Sequence, residues 1–199
     1  MADDAGLQKS KTEAGAATRE RIERAALSLF VERGVDAATT RDIAAAAGLS
    51  EGAIYRHFVS KDELASGIFL TIHSRLARLV REAAARNTDI EARARAVVEA
   101  YCRTADEDFA LFTFHLFYVH RFLPTPEGVD NPVDAIEDIV SAAMARREIR
   151  RRDKALVAGM ALGVVLQTAL QISYGRLAGP LGAHRTAMTA AVIAILKGE

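Results

Sequence analysis

Residues 39–64 read TTRDIAAAAGLSEGAIYRHFVSKDEL, and the order of caps, small residues and breakers in them decides the fold. Thr39 or Thr40 offers a hydroxyl as N-cap, and Asp42 falls in the first turn, where the positive end of a helix dipole favours an anion. Residues 44–47 are all alanine, strong helix formers with little side chain to obstruct a neighbour. Gly48 follows where a helix needs a residue that accepts positive φ to leave its axis. Ser50 is placed to cap a second helix, predicted over 51–58. A helix, a short turn with Gly and a second helix at a steep angle form a helix-turn-helix.

The spacing assigns faces. Ala44 and Gly48 lie one turn apart, where small residues let two helices cross closely. Ile54 and Phe58 share the inward face of the second helix. The outward face is Glu51, Gly52, Tyr55 and Arg56, with His57 on its edge. Small, aromatic and basic groups on an exposed helix suit a major groove walled by phosphates. Ser60 and Glu63 have the capping-box spacing. That puts Lys61 at a helix tip, beside free backbone N–H groups, as a phosphate anchor.

With these residues in view, the segment resembles the tetracycline-repressor (TetR/AcrR) family of transcriptional regulators. The resemblance rests on Thr39-Thr40-Arg41-Asp42-Ile43-Ala44, Ala47-Gly48-Leu49-Ser50, Gly52 to Phe58 and Lys61-Asp62-Glu63-Leu64, and covers residues 18–64, about a quarter of the chain. It implies a homodimer whose C-terminal helices form the interface. It also implies a head in which Thr40, Tyr55, His57 and Lys61 grip phosphates while Arg41, Gly52, Ala53 and Arg56 lie nearest base edges.

Composition bounds the alternatives. The 199 residues suffice for a sizeable core. Half are apolar, yet the longest apolar run, 155–166, falls short of the roughly 18 to 20 residues of a membrane span. No secretory h-region opens the chain, and Cys102 is the only cysteine. A cytoplasmic protein with no membrane segment and no internal disulfide is therefore expected. Lysine plus arginine equals aspartate plus glutamate, at 26 each. Any nucleic-acid footprint must then be local, with few phosphate contacts per subunit, and dimerisation must supply affinity.

Residues 1–17 lack periodicity and are expected to be a disordered tail. A first helix is predicted over 18–33, where Ile22, Ala25, Ala26, Leu29 and Phe30 make one apolar stripe that closes over Ile43, Ile54 and Phe58. A fourth helix, 61–86, carries Leu64, Ile68, Ile72 and Leu76. At 1.5 Å per residue it measures about 35–40 Å, long enough to link a head (18–64) to a second domain (65–199). After a turn at 87–89, further helices are predicted over 90–106, 109–123, 133–147, 153–177 and 183–197, with Gly179-Pro180 as the last break. Helix 8 is apolar round too much of its circumference for a monomer's surface, and with helix 9 it suits a four-helix bundle across a two-fold axis.

The stretch 109–123 is the most aromatic and reads as enclosed core. It also supplies candidates for a small-molecule cavity: Phe112, His115, Phe117, Tyr118 and His120, with Ile72, Tyr101, Gln167 and Gln171 from neighbouring helices. The basic run Arg146 to Lys154 reads as a solvated helix junction. No Gly-rich phosphate loop, Gly-x-Ser-x-Gly elbow or His-Glu-x-x-His occurs, so no enzyme and no cofactor is expected. His115 and His120 stand about 140° apart round a helix and do not share a face. With His73 and Cys102 they leave a metal sensor as a minor alternative, and no metal site is assigned. The expected fold is all-α: a three-helix head and a helical ligand-binding and dimerisation domain, about nine helices in all. The expected function is a homodimeric, ligand-responsive regulator, a repressor that reads a pseudo-palindromic double-stranded DNA operator and is released by a small apolar or aromatic effector. A DNA-binding regulator with no ligand is the other alternative.

Overall fold

The computed structural model describes residues 2–198, with side chains from residue 13 onward. Nine α-helices and one 3-10 turn occur among them, and no strand. They are α1 (Ala2–Arg33), α2 (Thr40–Ala46), α3 (Glu51–Ile54), α4 (Lys61–Ala85), α5 (Ile90–Glu107), α6 (Phe109–Phe122), α7 (Pro132–Ala145), α8 (Lys154–Ser173), the 3-10 turn Leu181–His184 and α9 (Arg185–Lys197). The chain divides into two compact units, the first ending at Phe69 and the second beginning at Leu70. The division falls inside α4.

In the first unit, Ile22, Ala26, Leu29 and Phe30 of α1 are buried together with Ile43, Ile54 and Phe58, as the stripe predicts. The helix begins earlier than that stripe. Its backbone already turns at Ala2 and runs through the segment expected to be disordered. Five of these seventeen residues are alanine and no proline interrupts them, so local propensity favours continuing the helix. α2 ends on Gly48 at φ +65°. Leu49 N–H donates to the Ala44 carbonyl at 2.9 Å and Gly48 N–H to that of Ala45 at 3.1 Å, the paired bonds that close a helix on a left-handed residue. Gly48 is exposed rather than sunk in a helix crossing, so its dihedral and not its size explains it.

The second unit packs α5, α7, α8 and α9 side by side, with α6 against α5 and α8. Its helices start on short acceptors: Asp89, Asp108, Asn131 and Asp153 each accept a backbone N–H from the first turn. α8 stops at Ser173, before the Gly-Pro break, because Gly175 takes φ +67° and Arg176 N–H turns back to the Gln171 carbonyl at 2.9 Å. Asp106, just before the end of α5, accepts from Leu181 N–H at 2.8 Å and Gly182 N–H at 3.0 Å, and so anchors the 3-10 turn. Arg152 reaches from the start of α8 to the carbonyls of Ile195, at 2.8 Å, and Leu196, and closes the end of α9.

α8 is the one described helix long and apolar enough to cross a membrane. It packs on α6, α7 and α9 along one side. The side left over carries Leu156, 61% exposed, and Met160, 42% exposed.

Candidate functional site

The head is assembled by local hydrogen bonds that the sequence encodes within a few residues. Thr39 is the N-cap of α2: its hydroxyl accepts from Asp42 N–H at 3.1 Å, and Asp42 accepts from Thr39 N–H at 3.3 Å. The Thr39 hydroxyl, which also donates to Asp42 Oδ2 at 2.7 Å, and then the Thr39 N–H hold the Asp42 carboxyl below its usual range. Thr40, one residue on, faces α3. Its hydroxyl donates to Glu51 Oε1 at 2.8 Å and lies 3.3 Å from the Tyr55 hydroxyl. One threonine thus ties the start of α2 to the start of α3 and to the turn after it.

α3 is shorter than predicted. It spans Glu51–Ile54, Ser50 makes no side-chain cap bond, and Tyr55, Arg56 and His57 lie in a turn closed by Phe58 N–H to the Ile54 carbonyl at 3.0 Å. The outward face survives the change: Arg41, Gly52, Tyr55 and Arg56 are exposed, His57 and Thr40 half-buried. Neither Arg41 nor Arg56 is held in an ion pair among the described residues. Ala53 is the exception. It is 3% exposed and buried with Ile54, the two forming the inward side of α3 while Gly52 and Tyr55 on either side of them are exposed. Its expected place at a base edge is therefore corrected.

Lys61 has a second task that the spacing did not reveal. Its ammonium donates to the carbonyls of Asp36 at 3.0 Å and Ala38 at 2.8 Å, pinning the loop after α1 to the start of α4. Ser60 caps that helix by accepting from Glu63 N–H at 3.0 Å, while Glu63 reaches Val59 N–H. Two arginines of α1 also escaped the sequence reading. Arg21 donates to the Ala47 carbonyl at 2.7 Å, and the Arg19 guanidinium sits 4.3 Å from the Phe58 ring centroid. Each is an α1 cation set a turn apart from the apolar stripe, a signal too general to single out.

In the second unit an apolar cavity of about 50 Å³ lies between α5, α7, α8 and α9. Val98, Val140, Ala161, Val165 and Val192 are among its walls, with Arg93 at the edge. Its lining offers water no polar partner, which suits hydrocarbon. Of the ligand candidates, Tyr101 alone lines it. Phe112 and Ile72 are buried elsewhere in the core, and Tyr118 stacks on Phe114 at 4.8 Å between ring centroids. Phe117 is 45% exposed and faces Tyr174. His120 and Gln167 are exposed and Gln171 half-buried. The aromatic stretch is thus mostly core, and the cavity is built by small β-branched residues. The i, i+4 series Ile90, Ala94, Val98 on α5 and Met188, Val192, Leu196 on α9 was the available signal.

His115 meets His73 of α4 instead of the cavity. His73 Nδ1 lies 2.9 Å from His115 Nε2, and both rings are buried. Burial pushes His115 down to about 3 and also lowers His73, which nearby Asp134 partly offsets. Among the described residues no group of three or more His, Cys, Asp or Glu could hold a metal ion. Cys102 is buried, and burial pushes its thiol up to about 11, leaving it protonated at neutral pH.

Residues 22–68 match the family described as bacterial regulatory proteins, tetR family. The transcriptional activator FasR of Mycolicibacterium smegmatis is 32% identical over 124 residues, 59% of this chain and 56% of FasR. The transcriptional repressor KstR2 of Rhodococcus jostii is 40% identical over 82 residues, 41% of this chain and 38% of KstR2. The chain thus spans less than two thirds of the length of these curated relatives. Among solved structures, the TetR-family regulator PfmR of Thermus thermophilus superposes with a TM-score of 0.69 at 27% identity, over 88% of this chain and 97% of PfmR. FadR of Bacillus subtilis, solved in complex with stearoyl-CoA, superposes at 0.72 over 90% of this chain and 98% of its own; at 15% identity that likeness concerns the fold alone.

Proposed function

We propose that the chain, whose residues 22–68 match the tetR family of bacterial regulatory proteins, acts as a homodimeric repressor that reads a pseudo-palindromic operator and lets go when an apolar effector binds. The observation that carries the reading is the exposed set Arg41, Gly52, Tyr55 and Arg56 on α2, α3 and the turn after it, elements tied together by the Thr40–Glu51 hydrogen bond. In this reading Arg41 and Arg56 contact base edges, since only they in the set can pair bidentately with guanine. Tyr55, His57 and Lys61 contact phosphates, with Thr40 positioning the Tyr55 hydroxyl.

The exposed apolar side of α8, with Leu156, Gly159 and Met160 at helical spacing, supports a partner copy there and on α9. Two heads on one dimer read half-sites about 34–36 Å apart or a multiple of that. The apolar cavity supports an effector that is hydrocarbon over most of its length. The stearoyl-CoA held by the Bacillus subtilis neighbour makes fatty acyl thioesters the first class to screen. An effector larger than the cavity binds by spreading α5, α7, α8 and α9. α4, which carries both Lys61 and His73, runs from the head into that unit and is the element through which release acts. The coupling is reciprocal: operator DNA weakens effector binding by the factor by which effector weakens DNA binding.

Selection of bound duplexes from a random pool tests the first half. An enriched inverted repeat is the expected result, and a pool that stays random after several rounds refutes it. Titration of palmitoyl-CoA into the operator complex tests the second. DNA affinity unchanged at saturating ligand excludes release by this class.

A further inference from the structure

The junction between α7 and α8 holds more positive charge than the fold uses. Residues 146–152 contain five arginines and one glutamate. Arg146 pairs with Glu148, and Arg152 is spent on the end of α9. Arg147, Arg150 and Arg151 are exposed and, among the described residues, hold no ion pair. Together with Lys197 they line an open cleft of about 920 Å³. Ile149, 7% exposed, is buried between them and anchors the loop, so the flanking guanidinium groups stand on a fixed support.

Arg147 is the second sign. Its φ is +61°, the one positive value outside glycine among the described residues. It occupies the left-handed position that closes α7, with Glu148 N–H bonded to the Ala143 carbonyl at 3.0 Å. Glycine serves that position without strain. An arginine there, exposed and without an ion pair, gives the fold nothing in return for the strain, which points to a task outside it.

The cleft adjoins the apolar cavity. Ile90 lines the cavity, and its N–H donates to Glu148 of the cleft at 2.7 Å. Leu196 lines the cavity and Lys197 the cleft. We propose that the effector is an amphiphile whose single apolar chain enters between α5, α7, α8 and α9 while a head bearing phosphates lies on Arg147, Arg150 and Arg151. Guanidinium forks suit phosphate oxygens, and three of them exceed what a lone carboxylate needs. This assignment rests on the ligand-responsive reading and adds to it the chemistry and place of the head.

The test is direct binding to the full chain, without DNA, of four probes: palmitoyl-CoA, lysophosphatidic acid, palmitate and coenzyme A. Palmitoyl-CoA is expected to bind at least about tenfold tighter than palmitate or coenzyme A. Tighter binding of lysophosphatidic acid than of palmitoyl-CoA assigns the head to a lipid, and the reverse order assigns it to a nucleotide thioester. Arg150→Glu with Arg151→Glu should cost palmitoyl-CoA about tenfold or more and leave palmitate unchanged. Arg147→Gly should raise the unfolding midpoint while weakening palmitoyl-CoA several-fold, a combination that a structural role does not produce. Equal palmitoyl-CoA affinity in wild type and both variants overturns the proposal. So does an unchanged ligand affinity with a fall in operator affinity, which would give the cleft to nucleic acid. If palmitoyl-CoA binds as expected but leaves operator affinity untouched, the regulatory reading fails and the head site stands.

Discussion

Nδ1 of His73 on α4 and Nε2 of His115 on α6 are 2.9 Å apart in the interior of the second unit. One hydrogen sits between the two rings, and burial disfavours the charged form of each. The pair joins the helix that continues into the head to the helix that carries most of the aromatic core.

Acid should therefore weaken the fold earlier than the carboxylates alone dictate. Burial lowers the folded-state value of His115 to about 3 and shifts His73 in the same direction. The unfolded chain binds protons near pH 6.5 that the folded chain does not. Stability is fully present above about pH 6.5 and is lost as pH falls from there toward 3, by up to about 1.4 kcal/mol per pH unit from His115, with His73 acting in the same direction. Urea denaturation at pH 7.5, 6 and 5 measures the slope, and His73→Phe with His115→Phe should flatten it. A wild-type curve level from pH 6.5 to 5 contradicts the account.

On the head, Arg56→Ala should cost about 1–3 kcal/mol on the selected operator and little on random duplex. Equal losses on both would move Arg56 from bases to backbone. Glu51→Gln keeps an acceptor for Thr40 and removes a negative charge from the DNA-facing side, so affinity for every duplex should rise. Gel-shift titrations at two salt concentrations separate the two effects.

Lys61→Ala should act twice. It removes a phosphate contact, reducing the salt slope of DNA binding by about 1. It also strips two carbonyls of a charged donor, at about 1.5–3 kcal/mol for such a bond. Thermal unfolding of the free protein reads the second effect. An unchanged midpoint shows that the loop carbonyls find water at no loss.

Gly182→Ala places a methyl carbon 2.6 Å from Asp106 Oδ2. The carboxylate is short and already engaged by two N–H groups, so it has little room to retreat. Destabilisation of about 1–2 kcal/mol is expected by denaturant titration. Asp106→Asn in the same background should not restore it, because the oxygen stays in place.

Met160→Glu on the uncovered side of α8 should shift the protein toward single chains in sedimentation velocity while the head keeps its fold. A dimer that persists at micromolar concentration with this change places the interface elsewhere.

Element order and most helix ends were legible because they rest on neighbours in sequence: Gly48 at its positive φ, the turn at 87–89, the Ile22–Phe30 stripe. α3 was misjudged because its early stop depends on where Ile54 must go in the core. Ala53 was misassigned for the same reason. The cavity was less legible still. Phe112 and Phe117 stand five residues apart on one helix, yet one is sealed in the core and the other meets Tyr174 at the surface. Facing of that kind is set by which helices become neighbours, and periodicity on a single helix does not report it. Lys61 showed half of its chemistry, since a carbonyl twenty-three residues away in sequence leaves no mark near position 61.

The reach of Arg152 to the last carbonyls of α9 bears on how the hollow beside it can swell. Leu196, whose carbonyl it grips, is also a wall of that hollow. α8 and α9 are therefore tied at both ends, by Arg152 at one and by the connecting segment that Asp106 anchors at the other. A guest too large for the space between them bows the pair apart in the middle, where side-chain packing is what holds them.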